Sequence, residues 1–318
     1  MNSQNRPKLG SLMIVVHSRA ELAATRSDLP TPLGLVATLG ALHAGHASLI
    51  DVARQANGAL GSVLVTIFVN PTQVGTNEDL STYPRTLDAD LALCDAHGAD
   101  VIWVPSVEDI YPGGPSQTSV VPGPLGAELE GGERPTHFAG VLTVVAKFFA
   151  LIRPDSAFFG EKDYQQLTLI RRMNVDLGLG LAIVGVETVR EADGLALSSR
   201  NVYLGSDDRQ RALVLSRALR AGQAAAAGGP TAVLDAAQAV YATEPTITAD
   251  YLELRAVDLG PAPTAGAARL LTAAQVGPAR LIDNVAIELG RSPSLARRFN
   301  STRQVARPAP PVAAGSKE

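Results

Sequence analysis

The chain has 318 residues, 46% hydrophobic and 18% charged, with a formal net charge of −4. This length suits about two ordinary domains with a sizeable core, and the mild acidity argues against a nucleic-acid binder, which would present a basic face. A single cysteine excludes an internal disulfide; no apolar stretch reaches membrane-spanning length and no secretory h-region opens the chain, so a cytoplasmic protein without membrane association is expected.

Apolar, β-branched runs predict strands over Leu33–Thr38, Ser62–Val69, Val101–Val104, Ser156–Phe159 and Leu181–Val186. Helical spacing predicts helices over His43–Ala56, Leu87–His97, Val141–Ile152 and Asp163–Leu177 between them. Continuous apolar strands alternating with helices imply a parallel α/β sheet with right-handed crossovers. Gly58, Gly98 and Gly178 fall where helices should stop, and Pro154 follows the helix ending near Ile152. Cys94 shares a helical face with Leu87 and Leu91, which makes it a buried, inert thiol.

The stretch Tyr111–Gly140 is rich in glycine and proline and holds one short strand candidate, Ser119–Val121. A loop of that length serves as a lid, a binding loop or a plain surface excursion. Beyond Asn201 the pattern changes. A helix begins at Ser206, with Asp207 and Asp208 in its first turn, and runs to Gly228-Gly229-Pro230. A second short helix and strands over Tyr251–Val257, Arg269–Gln275 and Arg280–Ile287 form a small α+β domain. From Ser292 onward Pro, Ala, Arg and Ser predominate, as in a disordered tail. The expected division is therefore 1–188, 189–291 and 292–318.

His43-Ala-Gly-His46 opens the helix after the first of these strands. Residues three apart on a helix share a face, so two imidazoles crowd a first turn whose free N–H groups and positive dipole end favour anions. Such a turn suits a nucleotide's phosphates, although two histidines at this spacing also occur on ordinary helix surfaces.

Ligands bind an open parallel sheet at the carboxyl ends of its strands. Four polar segments fall there: Thr38–His46, Asn70-Pro-Thr-Gln73, Gly160-Glu-Lys-Asp163 and the run from Arg190 to Asn201. In a nucleoside triphosphate site Lys162 reaches phosphate oxygens. Asp163 either caps the next helix or binds a ribose hydroxyl. Ser198, Ser199 and Arg200 offer two hydroxyls and a guanidinium fork for a β,γ-diphosphate, or else form a polar turn after Asp193-Gly194. Gln73 and Gln166 supply neutral amides suited to a small polar substrate, and Asn70-Pro71 is otherwise a simple turn.

Five motifs carry a family resemblance. They are Thr38-Leu-Gly-Ala-Leu-His-Ala-Gly-His46; Phe68-Val-Asn-Pro-Thr-Gln73 with Glu78-Asp79 and Tyr83-Pro-Arg85; Arg134-Pro-Thr-His-Phe138 with Gly140-Val141; Phe159-Gly-Glu-Lys-Asp-Tyr-Gln-Gln166; and Arg190-Glu-Ala-Asp-Gly-Leu-Ala-Leu-Ser-Ser-Arg-Asn201. In order and spacing, over roughly residues 12–290, the chain resembles the pantothenate synthetase (pantoate–β-alanine ligase) family of HIGH-motif nucleotidyltransferases.

The resemblance implies a Rossmann-like first domain, a small second domain closing over ATP, and a homodimer. It implies an ATP- and Mg²⁺-dependent reaction in which pantoate forms pantoyl adenylate and β-alanine then displaces AMP. It places His46 at the catalytic histidine with His43 beside it. ATP would lie against Thr38, Leu39, Gly40, Ala41, Leu42, His43, Ala44, Gly45 and His46, against Gly160, Glu161, Lys162 and Asp163, and against Val189, Leu197, Ser198, Ser199 and Arg200. Pantoate would meet Gln73, Gln166 and Asn70, and Gln73 would also meet β-alanine.

The chain departs from the family at Ala37, Leu39 and Val74. It also carries Ala89, Asp90 and Leu93 where some relatives have an Asp-Asp-x-x-Gln set for magnesium, which leaves Asp90 as the candidate ligand. Two rivals remain. Another nucleotidyltransferase of this fold would give no reason for Gln73 and Gln166, and a non-catalytic nucleotide binder would account for Ala89 and Leu93.

Overall fold

A computed structural model describes residues 13–73 and 86–290. The segments around Val74, Glu78-Asp79 and Tyr83–Arg85, and the expected tail 292–318, lie outside the described residues.

Six parallel strands form the larger sheet: β1 (Ile14–Val16), β2 (Leu33–Thr38), β3 (Ser62–Ile67), β4 (Val101–Trp103), β5 (Ser156–Gly160) and β6 (Ala182–Val186), in the spatial order β1-β4-β3-β2-β5-β6. Helices α1 (Arg19–Asp28), α2 (Ala44–Asn57), α3 (Leu87–Ala96), α4 (Val107–Ile110), α5 (Glu130–Glu133), α6 (His137–Ile152) and α7 (Tyr164–Asp176) are interleaved with the strands. Successive strand side chains point to opposite faces. Val36, Val63, Val65, Ile102 and Phe158 therefore pack under α2 and α3, while Leu35, Leu64, Trp103, Ala157 and Phe159 join the core under α1, α6 and α7. Both faces are covered, which is why these strands read as unbroken apolar runs.

Apart from the short candidate at Ser119–Val121, every predicted strand and helix of this unit forms, with ends shifted by a few residues. The edge strand β1 and the helix α1 lie outside the sequence reading. β1 has three residues, and α1 buries only Leu22, so neither shows a clear period. Helix α6 starts at His137, four residues before its predicted start, because Gly140 lies inside the helix and does not break it. The strand expected at Ser119–Val121 does not form. The Val120 N–H donates to the Thr143 hydroxyl of α6 at 3.0 Å instead of joining a ladder, and Val121 is exposed.

The smaller unit is an antiparallel sheet of β7 (Ala249–Ala256), β8 (Gly266–Val276) and β9 (Ala279–Leu289), covered by α8 (Ser206–Ala224) and α9 (Gly229–Tyr241) around its own core. The first of these helices stops four residues before the predicted Gly228, and a 3-10 turn over Ala226–Gly228 precedes α9. The fold is thus the expected α/β sheet domain with a smaller α+β domain. Leu259 and Leu271 of the second unit complete the core of the first, and Tyr164 donates to the Val257 carbonyl at 2.9 Å.

The chain runs β2 to β4 in one direction across the large sheet and then returns to the other side of β2 for β5 and β6. The direction reverses between β2 and β5, and a crevice opens at the carboxyl ends of such a pair. The turns leaving these two strands are Leu39–His43 and Glu161–Asp163.

Candidate active site

The loop from β2 to α2 is held in a shape that few residues tolerate. Gly40 has φ +90° and Ala41 φ +51°, both left-handed. Asp90, buried on α3, secures it: one carboxylate oxygen accepts the Ala41 N–H at 3.0 Å, and the other accepts the Leu42 N–H at 2.8 Å and the Thr86 hydroxyl at 3.0 Å. Asp90, expected as a magnesium ligand, thus holds the loop in this structure. Its oxygens are committed to the loop, Ala89 cannot ligate, and the described residues contain no cluster of three metal-capable side chains. Thr38 is similarly spent, its hydroxyl donating to the Thr66 carbonyl at 2.7 Å.

The two histidines cap their own helix. His43 is the N-cap of α2, and its Nδ1 accepts the Gly45 N–H at 3.1 Å. His46, three residues on, accepts the His43 N–H on Nδ1 at 3.3 Å. A neutral imidazole has one donor and one acceptor nitrogen. Because both Nδ1 atoms accept, both Nε2 atoms carry the hydrogen. The rings stand 4.2 Å apart. Burial, then the charge of Lys162, lowers the pKa of His43; burial, then His43, drives that of His46 down to about 3. The helix start therefore presents two neutral N–H donors and not two cations.

Lys162 and Asp163 follow β5. Asp163 stands at the N-cap position of α7 yet makes no capping hydrogen bond, so the capping role considered for it gives way to an electrostatic one. Its carboxylate lies 3.7 Å from the Lys162 ammonium. Burial works to raise its pKa, but Lys162, Arg200, His137 and His46 outweigh burial and hold the carboxyl below its usual range. Lys162 and Asp163 lie within electrostatic reach of both His43 and His46, and Arg200 lies within reach of Asp163. Leu197 also sits beside α2, with its Cβ 4.0 Å from the position of a Cβ at Gly45.

The segment after β6 doubles back on itself. Leu197 N–H donates to Val189 O at 3.0 Å, and Arg190 bridges Ala196. Arg209 braces it through Glu191 and Asp193 at 2.7 Å each. Ser198 caps the 3-10 turn Ser199–Tyr203 by accepting the Arg200 N–H at 3.2 Å, so the polar-turn reading holds for its oxygen while its O–H is a donor. Lys162, Asp163, Gln166, Ser198 and Arg200 line one cavity between the two sheet units.

Asn70, expected to meet pantoate, supports a turn in this structure. It is 1% exposed; its Nδ2 donates to Gly140 O at 3.3 Å, and its Oδ1 accepts the Tyr111 hydroxyl at 2.7 Å and the Thr72 hydroxyl at 3.0 Å. The turn it holds presents Gln73, whose Oε1 is buried without a partner among the described residues.

The same turn explains Gly140. A Cβ there would overlap the Thr72 carbonyl oxygen and lie 2.7 Å from its carbon. Alanine is worth about 1 kcal/mol over glycine in a helix, but backbone cannot rotate out of the way. Gly140→Ala is therefore expected to destabilise the protein by about 1–3 kcal/mol, read from the urea midpoint. An unchanged or raised midpoint would show that the turn gives way freely.

The sequence reading left several cavity residues without a role. Arg134 donates to Gln73 O at 3.0 Å, and His137 Nδ1 contacts the same oxygen at 3.1 Å, so both hold the Gln73 backbone. Glu130 accepts the Tyr251 hydroxyl at 3.0 Å and pairs with Arg280 at 2.7 Å. Gln165 binds the Glu130 N–H and the carbonyls of Leu125 and Glu128, which docks the long 111–136 segment onto the cavity wall. Asp283 and Asn284 bring β9 to the cavity. Two adjacent polar residues inside the apolar run Leu281–Ile287 were the available signal, since one of any two neighbours in a strand faces the core.

A family model described as pantoate-beta-alanine ligase matches residues 14–286. Pantothenate synthetase of Mycolicibacterium smegmatis is 54% identical over 296 residues, covering 92% of this chain and 93% of that one. The crystal structure of pantothenate synthetase from Thermus thermophilus superposes with a TM-score of 0.79 at 46% identity, over 86% of this chain and 99% of that one. The pantoate-beta-alanine ligase of Francisella tularensis, complexed with beta-gamma ATP and beta-alanine, superposes with a TM-score of 0.71 at 33% identity, over 86% and 97%.

Proposed function

Because this chain belongs to the pantoate–β-alanine ligase family, we propose a role for each wall of its cleft in the ATP-dependent condensation of (R)-pantoate with β-alanine, which yields pantothenate, AMP and pyrophosphate. The observation that carries the assignment is that the Lys162–Asp163 turn lines one cavity with Ser198 and Arg200 and lies within electrostatic reach of the paired imidazoles at the start of α2.

In the first half-reaction the carboxylate of pantoate attacks the α-phosphorus of ATP and pyrophosphate leaves. Negative charge grows on the α-phosphate oxygens. The Nε2–H groups of His43 and His46 and the Lys162 ammonium donate to those oxygens, in a cleft where preorganised donors act more strongly than in water. Ser198, Ser199 and Arg200 hold the departing diphosphate. The ionised Asp163 accepts from the ribose and steadies Lys162, while the loop Leu39–Leu42, Gly45, Gly160, Val189 and Leu197 shape the nucleotide's bed. Gln73 and Gln166 hydrogen-bond pantoate.

In the second half-reaction the neutral amine of β-alanine attacks the acyl carbon beside Gln73, and AMP leaves. The nucleotide activates the acyl group, so no covalent enzyme intermediate is required. We assign magnesium to the ATP substrate, whose phosphates and water satisfy this hard ion.

We also place the domain division at 188/189, with residues 189–291 as the lid. A homodimer in the cytoplasm, without membrane or nucleic-acid partners, completes the proposal. Among the described residues no helix is long and apolar enough to span a membrane.

The test uses labelled pyrophosphate. Exchange of label into ATP should require pantoate and proceed without β-alanine, while AMP release should wait for β-alanine. Exchange that ignores pantoate would favour a different nucleotidyltransferase, and no exchange at all would favour a non-catalytic binder.

A further inference from the structure

Lys162 sits on the short 3-10 turn Glu161–Asp163, and a further element grips the carbonyls of that turn. That element is on the other domain. Asn284 of β9 donates through Nδ2 to Glu161 O at 2.9 Å and to Lys162 O at 2.8 Å, while its Oδ1 accepts Arg269 Nε–H at 2.7 Å. Both amide hydrogens and the amide oxygen are engaged, and the residue is 3% exposed. The amide orientation is unambiguous: the reverse would set oxygen against two carbonyls and nitrogen against a guanidinium. Arg269 is itself fixed, paired with the Glu161 carboxylate at 3.0 Å and lying 4.0 Å over the Tyr164 ring.

The neighbouring residue does the same for the opposite wall. Asp283, 4% exposed, accepts both guanidinium arms of Arg190 at 2.6 and 2.8 Å. Arg190 begins the doubled-back segment that ends in Ser198–Arg200, and it also donates to Gly194 O at 3.1 Å within that segment. Two consecutive side chains of one strand thus grip the two segments assigned to the phosphates.

We propose that Asp283 and Asn284 are positioning residues which set the Lys162 turn and the Ser198–Arg200 turn in register across the ATP phosphates, with Asn284 aiming Lys162. The inference rests on the phosphate roles given above for Lys162 and Ser198–Arg200. It separates the half-reactions. Adenylate formation needs both walls in register around a triphosphate, whereas attack of β-alanine on preformed pantoyl adenylate needs only the Lys162 wall, because no β,γ-diphosphate is present.

Asn284→Asp keeps the shape and removes both amide donors. A group misplaced by about 1 Å can lose about a hundredfold in rate. The expected result is a fall of about ten- to hundredfold in kcat for pantoate-dependent pyrophosphate exchange, a smaller change in the KM for ATP, and a clearly smaller fall in the single-turnover rate for synthetic pantoyl adenylate with β-alanine. Unchanged exchange in a folded variant overturns the proposal. So does an equal loss in both half-reactions, which would mark the pair as holding the fold and nothing finer. Should Asn284→Asp not fold, Asp283→Asn is read by the same split, and failure of both to fold also overturns it. Lys162→Ala tests the premise separately. If that change leaves exchange intact, the phosphate reading fails; if it abolishes exchange while Asn284→Asp does not, only the positioning role is lost.

Discussion

Lys162→Ala should slow adenylate formation by about a hundredfold to a thousandfold, the usual effect of deleting one preorganised donor from a site of developing charge. The Lys162 side chain is 18% exposed, and its charge acts on both imidazoles. Its removal also releases Asp163, whose carboxylate would then face the nucleotide phosphates with one compensating charge fewer. The loss should therefore appear mostly in kcat for pyrophosphate exchange. Lys162→Arg should rescue little, because the fork of a guanidinium cannot occupy the place of a compact ammonium on a turn fixed at both carbonyls. A loss below tenfold (on the order of 1.4 kcal/mol) would show that the phosphates are neutralised elsewhere.

His46→Gln gives a second large effect and a cleaner dissection. Glutamine at the third helical position supplies the capping acceptor that His46 Nδ1 provides now, so the helix start is preserved while the Nε2–H is lost. Exchange should fall by about a hundredfold. The same variant should change how stability depends on pH. The folded-state pKa of His46 is about 3, against roughly 6.5 in an unfolded chain. Between those values the unfolded state takes up a proton that the folded state refuses. Stability is then fully present above about pH 6.5 and declines as the pH falls, by up to about 1.4 kcal/mol per unit. Removing His46 should flatten the decline of thermal stability between pH 7.5 and 5. An identical slope in wild type and variant would mean that the ring ionises freely in the fold.

The large sheet was legible because burial on both faces leaves a coarse mark: continuous apolar strands, helical periods between them, glycine at the helix ends. The polar segments were legible as a group because parallel topology gathers strand ends on one rim. Individual roles were less so. Asn70, Asp90 and Thr38 are polar residues in the right places, yet each holds a backbone segment still, and sequence does not distinguish a hydrogen bond to a neighbouring loop from one to a ligand. The Asp283-Asn284 pair lies more than a hundred residues from the turn it holds, so no local pattern could connect them. The start of α6 was misread for a related reason. Gly140 resembles a helix breaker until the Thr72 carbonyl that needs its missing Cβ is seen.

Two imidazoles 4.2 Å apart form the sort of nest that zinc or copper ions seek in a cell. Here the lone pair on each Nδ1 is already taken by a main-chain hydrogen, and each Nε2 is protonated. A scavenging metal could enter only by unpicking the first turn of α2. The self-capped helix therefore leaves the histidine pair with two N–H donors and no free lone pair for a transition ion.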